Sequence, residues 1–327
     1  MLETTALPAL TRSECLPGEL LRRLERHANA ARGAYAPATE RAIKSDTAIF
    51  AAWCAEYGHI SLPTSPESLV AFVDAQAKEK APATVRRYIS SIGHLHKAAG
   101  LDNPAAAPEV RLAVRRMNRS KGTRQNQKHP LNRVLVDKLL DAAPDSLLGL
   151  RDRALLSVAY DSLCRRSELV SLDVSDLGPI ADDGSATVLI RRSKTDQEGQ
   201  GATVWLGPDT IEHVKVWLAA AGIAEGSLFR SVRKGGRIGG PLRGEDVPRI
   251  YKRLAAAANL PKELVVQISG HSTRIGTCQD MAAAGIELAA ILQSGRWKTP
   301  AMAARYTENL VARRGGAAKL AAIQNRV

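Results

Sequence analysis

The chain has 327 residues, 45% of them hydrophobic and only 4% aromatic, enough to bury two ordinary cores. Its 46 Lys and Arg against 33 Asp and Glu leave a formal charge of +13, which points to a polyanionic partner, nucleic acid ahead of a membrane surface. No apolar run reaches the ~18 residues of a membrane span, and the start MLETTALPALTRSECLPGEL lacks the basic and apolar regions of a signal peptide, so a cytoplasmic protein without a membrane partner is expected.

Taken in chain order, Ile43, Phe50, Cys54 and Tyr57, then Leu69, Phe72 and Val73, then Val85, Ile89, Ile92 and His96 recur at helical spacing. They predict a helical bundle over residues 1–117. The stretch RRMNRSKGTRQNQK, residues 115–128, carries Arg115, Arg116, Arg119, Lys121, Arg124 and Lys128 with no acid and almost no apolar residue, so it should bury no face. A basic linker over 118–129 is the expectation. A second domain, 130–327, opens with helical patterns at Val136, Leu139, Leu140 and Ala143 and again at Leu155, Val158, Ala159 and Ser162. In ATVLIRRSKTDQEGQGATVWLG the period changes to two on either side of a polar, glycine-containing turn, which predicts a β-hairpin. Helices resume at Pro208–Ala221 and dominate to the end, punctuated by Gly285, Gly295 and the Gly315–Gly316 pair. The fold class is therefore mainly α with a small antiparallel β-sheet in the second domain. Cys15, Cys54, Cys164 and Cys278 form no C-x-x-C pair and read as small core residues.

GHSTRIG places His271 and Arg274 three apart in the first turn of a helix that should end at Gly285. Both then share one face, and a helix N-terminus favours phosphate; a solvated surface pair is the plain alternative. Asp182 and Asp183 read as a turn between strands, with no further carboxylate placed to make a metal site. RKGGRIGG lacks the spacing of a nucleotide-binding loop, so neither metal nor cofactor is expected. Its Arg233 and Lys234, with Arg230 and Arg237, either touch a DNA backbone or decorate a solvated hairpin tip. Arg86 and Arg87 lie opposite the Val85, Ile89 and Ile92 stripe, and Arg41 and Lys44 flank Ile43; solvated faces are the usual meaning of such charges. So few aromatics argue for duplex rather than single-stranded nucleic acid.

The blocks YDSLCRRSELVSL, RRSKTD, GHSTRIG and SGRWKTPAMAARYTENL, with FAAWC and SLFRSVRKGG around them, resemble in this order those of the tyrosine recombinases, the phage integrase family. The resemblance spans nearly the whole chain. Each block alone is weak, and the ordered set is specific. It implies catalytic roles for Arg165, Lys194 on its hairpin, His271, Arg274 and the nucleophile Tyr306, supported by Glu168. Most members carry histidine where this chain has Trp297, and a minority carry tryptophan. It also implies a two-domain clamp on duplex DNA, contacts from Arg41, Lys44, Arg86, Arg87, Arg119, Lys121, Arg233 and Lys234, and a homotetramer on paired DNA sites that is mostly monomeric when free. When bound to DNA such a protein is expected at the nucleoid.

Attack on a phosphodiester builds negative charge on the non-bridging oxygens, and without a metal the protein must supply the cations. Arginine does so in a planar, always-charged, bidentate form. Tyrosine, with a pKa of about 10, needs that positive field or a base such as His271. Lys194 is suited to protonate the departing sugar oxygen. Trp297 donates an indole N–H to phosphate or is a plain core residue; Glu168 orients an active-site partner, caps a helix, or does both. A type IB topoisomerase or telomere resolvase would share this chemistry. A non-catalytic DNA-binding regulator would not need the intact set, and a membrane-surface protein would concentrate its charge on one amphipathic helix.

Overall fold

In a computed structural model that describes residues 18–124, 126–194, 196 and 198–326, two units separate at residues 125 and 126. Cys15 lies outside the described residues. The first unit contains α1 (Gly18–Ala30), α2 (Pro37–Tyr57), α3 (Pro66–Glu79), α4 (Pro82–Ala98) and α5 (Pro108–Lys121). Proline opens α2, α3, α4 and α5, where its missing N–H breaks no helical bond. Phe50, Trp53 and Cys54 from α2 pack with Leu69, Phe72 and Val73 from α3, Val85, Tyr88, Ile89 and Ile92 from α4, and Val110, Ala113 and Met117 from α5. Each large side chain so buried contributes about 1.5–3 kcal/mol.

Two expectations change in this unit. Tyr57 is exposed, and the α2 stripe instead buries Asp46, which accepts from Ser91 Oγ at 2.8 Å and pairs with Arg87 at 2.9 Å. Arg87, itself 53% exposed, supplies the partner that a buried carboxylate requires. The basic stretch does bury a face: α5 continues to Lys121 and places Met117 in the core, since one apolar residue per turn is enough to seat a helix end. Lys121 Nζ donates to the carbonyls of Ala77, Lys78 and Lys80, at the end of α3, where a cation meets the negative end of the helix dipole.

His96 illustrates a polar side chain on an apolar stripe. It is 1% exposed; its Nδ1–H donates to the Ile92 carbonyl at 2.9 Å, and its Nε2 accepts the Thr64 N–H at 3.0 Å. The Nε2 contact needs the neutral ring, and burial holds its pKa below the ordinary value against the Ile92 hydrogen bond. The unfolded chain then binds the proton first as pH falls below about 6.5, so the stabilisation is present above that value and is lost on acidification. Amide-exchange protection at Thr64 should fall between about pH 7 and pH 5, and His96→Gln, which keeps a donor and an acceptor without titrating, should flatten that dependence. A pH-independent wild-type protection would rule the linkage out.

The second unit comprises α6 (Arg133–Asp141), α7 (Leu147–Asp161), α8 (Arg166–Val170), β1 (Ala186–Ile190), β2 (Ala202–Leu206), α9 (Pro208–Ala221), β3 (Arg230–Val232), β4 (Ile238–Pro241), α10 (Asp246–Ala257), α11 (Lys262–Gln267), α12 (Ser272–Ala283), α13 (Leu288–Gly295), α14 (Ala301–Arg314) and α15 (Gly316–Ile323). β1 and β2 pair antiparallel from Ala186 opposite Leu206 to Ile190 opposite Ala202, with Ala186, Val188 and Ile190 inward. Asp183 accepts from Ser185 N–H and Oγ at 2.9 and 2.6 Å, so it shapes the turn before β1. A second two-stranded sheet, β3–β4, flanks the turn that carries Arg233 and Lys234, in addition to the one small sheet expected; its strands are too short and irregular to show alternation.

The main core holds Leu155 and Val158 of α7, Trp217 of α9, Phe229, and Tyr251 of α10. Trp217 Nε1–H donates to the Leu228 carbonyl at 2.9 Å. Arg151 and Asp152 sit within it as a buried pair at 2.6 Å, extended by Arg151 Nη1 to the Arg230 carbonyl at 3.1 Å and by Arg253 to the second Asp152 oxygen. Cys54, Cys164 and Cys278 are buried thiols. Among the described residues no helix is long and apolar enough to cross a membrane.

Candidate active site

Arg165 occupies the N-cap of α8, directly after a turn in which Leu163 has φ +47°. Glu168, on the first turn of that helix, accepts the Arg165 N–H at 3.0 Å on Oε2 and the Arg165 guanidinium at 2.6 Å on Oε1. Capping and ion pairing thus coincide in one carboxylate. Burial alone would raise its pKa, but the Arg165 backbone and guanidinium together with Arg296 hold it below the usual carboxylate range.

His271 is the N-cap of α12 and Arg274 lies one turn in. The helix ends at Ala283, two residues before Gly285, whose φ is +77°. α12 passes so close to the preceding segment that a Cβ on Gly276 would stand 1.9 Å from the Leu131 carbonyl oxygen, which fixes the depth of Arg274. Arg274 is 2% exposed and donates to the carbonyls of Leu163 and Gly295. Desolvation, with Arg165 and Arg296 nearby, pushes its pKa down to about 10, which leaves it charged at neutral pH. His271 keeps an exposed face, but partial desolvation, then the charges of Arg274, Arg166 and Arg165, hold its imidazole below the ordinary value against a backbone hydrogen bond at Gly270. At neutral pH it is an uncharged ring that can accept a proton.

Trp297 lies over the Arg274 guanidinium, whose carbon is 4.7 Å from the ring centroid, and meets the Tyr306 ring edge-on at 5.7 Å and 71°. Gly295 makes room for it: a Cβ there would come within 2.3 Å of the indole. Tyr306, on α14, is 6% exposed, and Gln279 Nε2 holds its backbone carbonyl at 2.8 Å. Burial raises the phenol pKa, while Arg274, Arg305 and Arg165 pull it back without cancelling the rise. Tyr306 is a protonated phenol under several positive charges.

Lys194 and Trp297 line one groove of about 560 Å³, with the β1–β2 turn on one side and Gln293, Arg296 and Lys298 on the other. Two details were not legible in the sequence. Asp196 accepts the N–H groups of Gly199, Gln200 and Gly201 at 3.1, 3.1 and 2.8 Å, which ties down the turn that carries Lys194. Arg296, at φ +53°, reaches back to Glu168 at 2.8 Å. No motif signals the latter, because its partner lies 128 positions away.

The remaining candidates lie elsewhere. Arg233 and Lys234 are exposed at the β3–β4 turn. In the first unit Arg41, Lys44, Arg86 and Arg119 are exposed, and Arg119 shares a groove along α5 with Leu112, Arg115, Arg116 and Ser120.

The phage integrase family pattern matches residues 131–313. The chain is 32% identical to an integrase/recombinase XerD homologue of Selenomonas ruminantium over 83% of this chain and 81% of that one. It is 26% identical to the Cre recombinase of Escherichia phage P1 over 88% and 89% of the two chains. Among solved structures, a lambda integrase dimer bound to a COC′ core site superimposes with a TM-score of 0.60 at 17% identity, covering 89% of this chain and 94% of that one. The Tn1549 transposon integrase in complex with circular intermediate DNA gives 0.59 at 14% identity, over 87% and 94%. These last two establish likeness of fold.

Proposed function

Because the chain belongs to the phage integrase family, the tyrosine-type site-specific recombinases, we propose that it cuts and rejoins duplex DNA through Tyr306. The observation that carries this reading is the continuous chain of contacts from Glu168 and Arg165 through Arg296 and Arg274 to Trp297 and Tyr306, with Lys194 on the groove that Trp297 lines.

Tyr306 Oη attacks the phosphorus, its proton passing to His271 or to water. Arg165 and Arg274 bind the non-bridging oxygens as charge accumulates on them. The bond to the 5′ oxygen breaks, Lys194 protonates that oxygen, and a 3′-phosphotyrosyl link remains. A 5′-hydroxyl from a partner strand then reverses the sequence. One phosphoester is exchanged for another, so no nucleotide hydrolysis is needed to reseal. Basic side chains such as Arg41, Lys44, Arg86, Arg119, Arg233 and Lys234 hold the duplex by its phosphates. Two duplexes exchanging strands require four copies of the chain, assembled on the DNA.

The test is to let the purified protein react with genomic DNA of its own host, denature it, and sequence the fragments that remain covalently attached. Attachment at one or a few discrete sequences is the expected result. Adducts scattered without sequence preference would point to a topoisomerase, and no adducts at all would end the reading.

Lys194 has its own signature. Lys194→Ala should slow cleavage by about 10²–10⁴-fold, the range of a general acid, on an ordinary phosphodiester duplex. On a duplex with sulfur in place of the bridging 5′ oxygen, the leaving thiolate needs no proton, and the variant should approach the wild-type rate. An equal deficit on both substrates would remove Lys194 from the proton-donor role.

A further inference from the structure

Arg296 touches no substrate in the mechanism above, yet the elements of the site meet on it. Its Nη1 donates to the Ser162 carbonyl at 2.9 Å, and its Nη2 contacts the Leu163 carbonyl at 3.4 Å, the Cys164 sulfur at 3.9 Å and Glu168 Oε2 at 2.8 Å. The side chain is 9% exposed, and both terminal nitrogens are occupied by the protein.

Its backbone is equally unusual. At φ +53° Arg296 occupies the left-handed region at the C-terminal end of α13, where a side chain is disfavoured and glycine is at ease. Such a conformation persists where surrounding contacts over-determine it. The contacts that hold it are those on the turn carrying Arg165.

Glu168 has two oxygens and two guanidinium partners: Oε1 takes Arg165, while Oε2 takes Arg296 and the Arg165 N–H. The Leu163 carbonyl is likewise shared by Arg274 and Arg296. Removing Arg296 would leave a buried carboxylate with Arg165 as its sole guanidinium partner among these contacts, drawing Arg165 further into the protein. The carbonyl that anchors Arg274 would lose its second donor at the same time. We infer that Arg296 is a positioning residue, which holds Glu168 and Leu163 so that Arg165 and Arg274 face the scissile phosphate. The inference rests on the roles proposed for those two arginines.

The test separates positioning from mere bracing of the fold. In a methylphosphonate, a methyl group replaces one non-bridging oxygen and the linkage is neutral, so an arginine that serves to neutralise charge becomes dispensable. Duplexes of the sequence recovered by covalent trapping, with either a phosphodiester or one methylphosphonate diastereomer at the cut position, serve as probes. Arg296→Gly accommodates φ +53° without strain and should cleave the phosphodiester about 10- to 100-fold more slowly than wild type, as is usual when an orienting partner is lost. On the diastereomer that restores Arg165→Ala, the deficit of Arg296→Gly relative to wild type should largely vanish. Should Arg296→Gly not fold, Arg296→Lys, which keeps the charge and loses the fork, is measured against the same prediction.

If Arg165→Ala is restored and the Arg296 variant is equally slow on both linkages, Arg296 is a structural brace and the inference fails. A wild-type rate on the phosphodiester overturns it as well. If Arg165→Ala is restored by neither diastereomer, the role of Arg165 itself falls, and this inference falls with it.

Discussion

Replacing Tyr306 by phenylalanine should leave no protein–DNA adduct after denaturation, a loss of at least about 10⁴-fold in cleavage, as expected when the nucleophile of a concerted set is removed. Duplex affinity should hold, because the ring and its contact with Trp297 remain. The choice of Tyr306 is structural as well as positional. Tyr160 donates its hydroxyl to Asp280 at 2.6 Å, which is the wrong polarity for a nucleophile facing phosphate. Tyr251 is 1% exposed in the main core, its pKa raised by burial. Only Tyr306, of these three tyrosines of the second unit, has Arg165 and Arg274 among the charges that act on its phenol. Tyr160→Phe should therefore cleave at near the wild-type rate, and adducts that survive in Tyr306→Phe would displace the assignment altogether.

The parts of this fold that the sequence disclosed are those in which burial imposes a period. α9 runs over Pro208–Ala221 as its proline start and apolar spacing predict, and β1 and β2 lie where the period changes to two. β3 and β4, of three and four residues, display no period, and only the glycine-rich turn between them offered a hairpin tip. The end of α5 escaped because a basic helix needs only Met117 on its inner side. In the site, Arg165, His271, Arg274 and Tyr306 are legible as an ordered resemblance, not as chemistry that spacing alone could specify. Arg296 was invisible for a physical reason: its role depends on a left-handed backbone and on acceptors 128 to 134 positions away. Arg87 and Lys121 have contacts that no local pattern shows, to Asp46 and to the carbonyls at the end of α3, because those partners lie about 40 positions away.

Deleting residues 315–327 should leave binding to a single DNA site almost unchanged and abolish recombination between two sites. α15 follows α14 across Gly315, and none of its residues is buried: Leu320 is 50% exposed and Ile323 79%. A helix of eight residues is too short to persist in water by propensity alone, so it gains stability by laying an apolar face on a larger surface. Docking on a neighbouring copy would make that surface available only in the assembly and so would couple α15 to synapsis. The tether matters too. Tyr306 lies on α14, next to the tail, so docking of the tail in trans would report to the nucleophile whether its neighbour is in place. The truncated protein should give normal gel shifts on one site, no tetrameric complex on two, and strand exchange reduced below detection. A Leu320→Asp, Ile323→Asp double variant, which keeps the length and removes the apolar face, should behave the same way. Tetramers and normal exchange from the truncated chain would show that α15 is not what joins the copies.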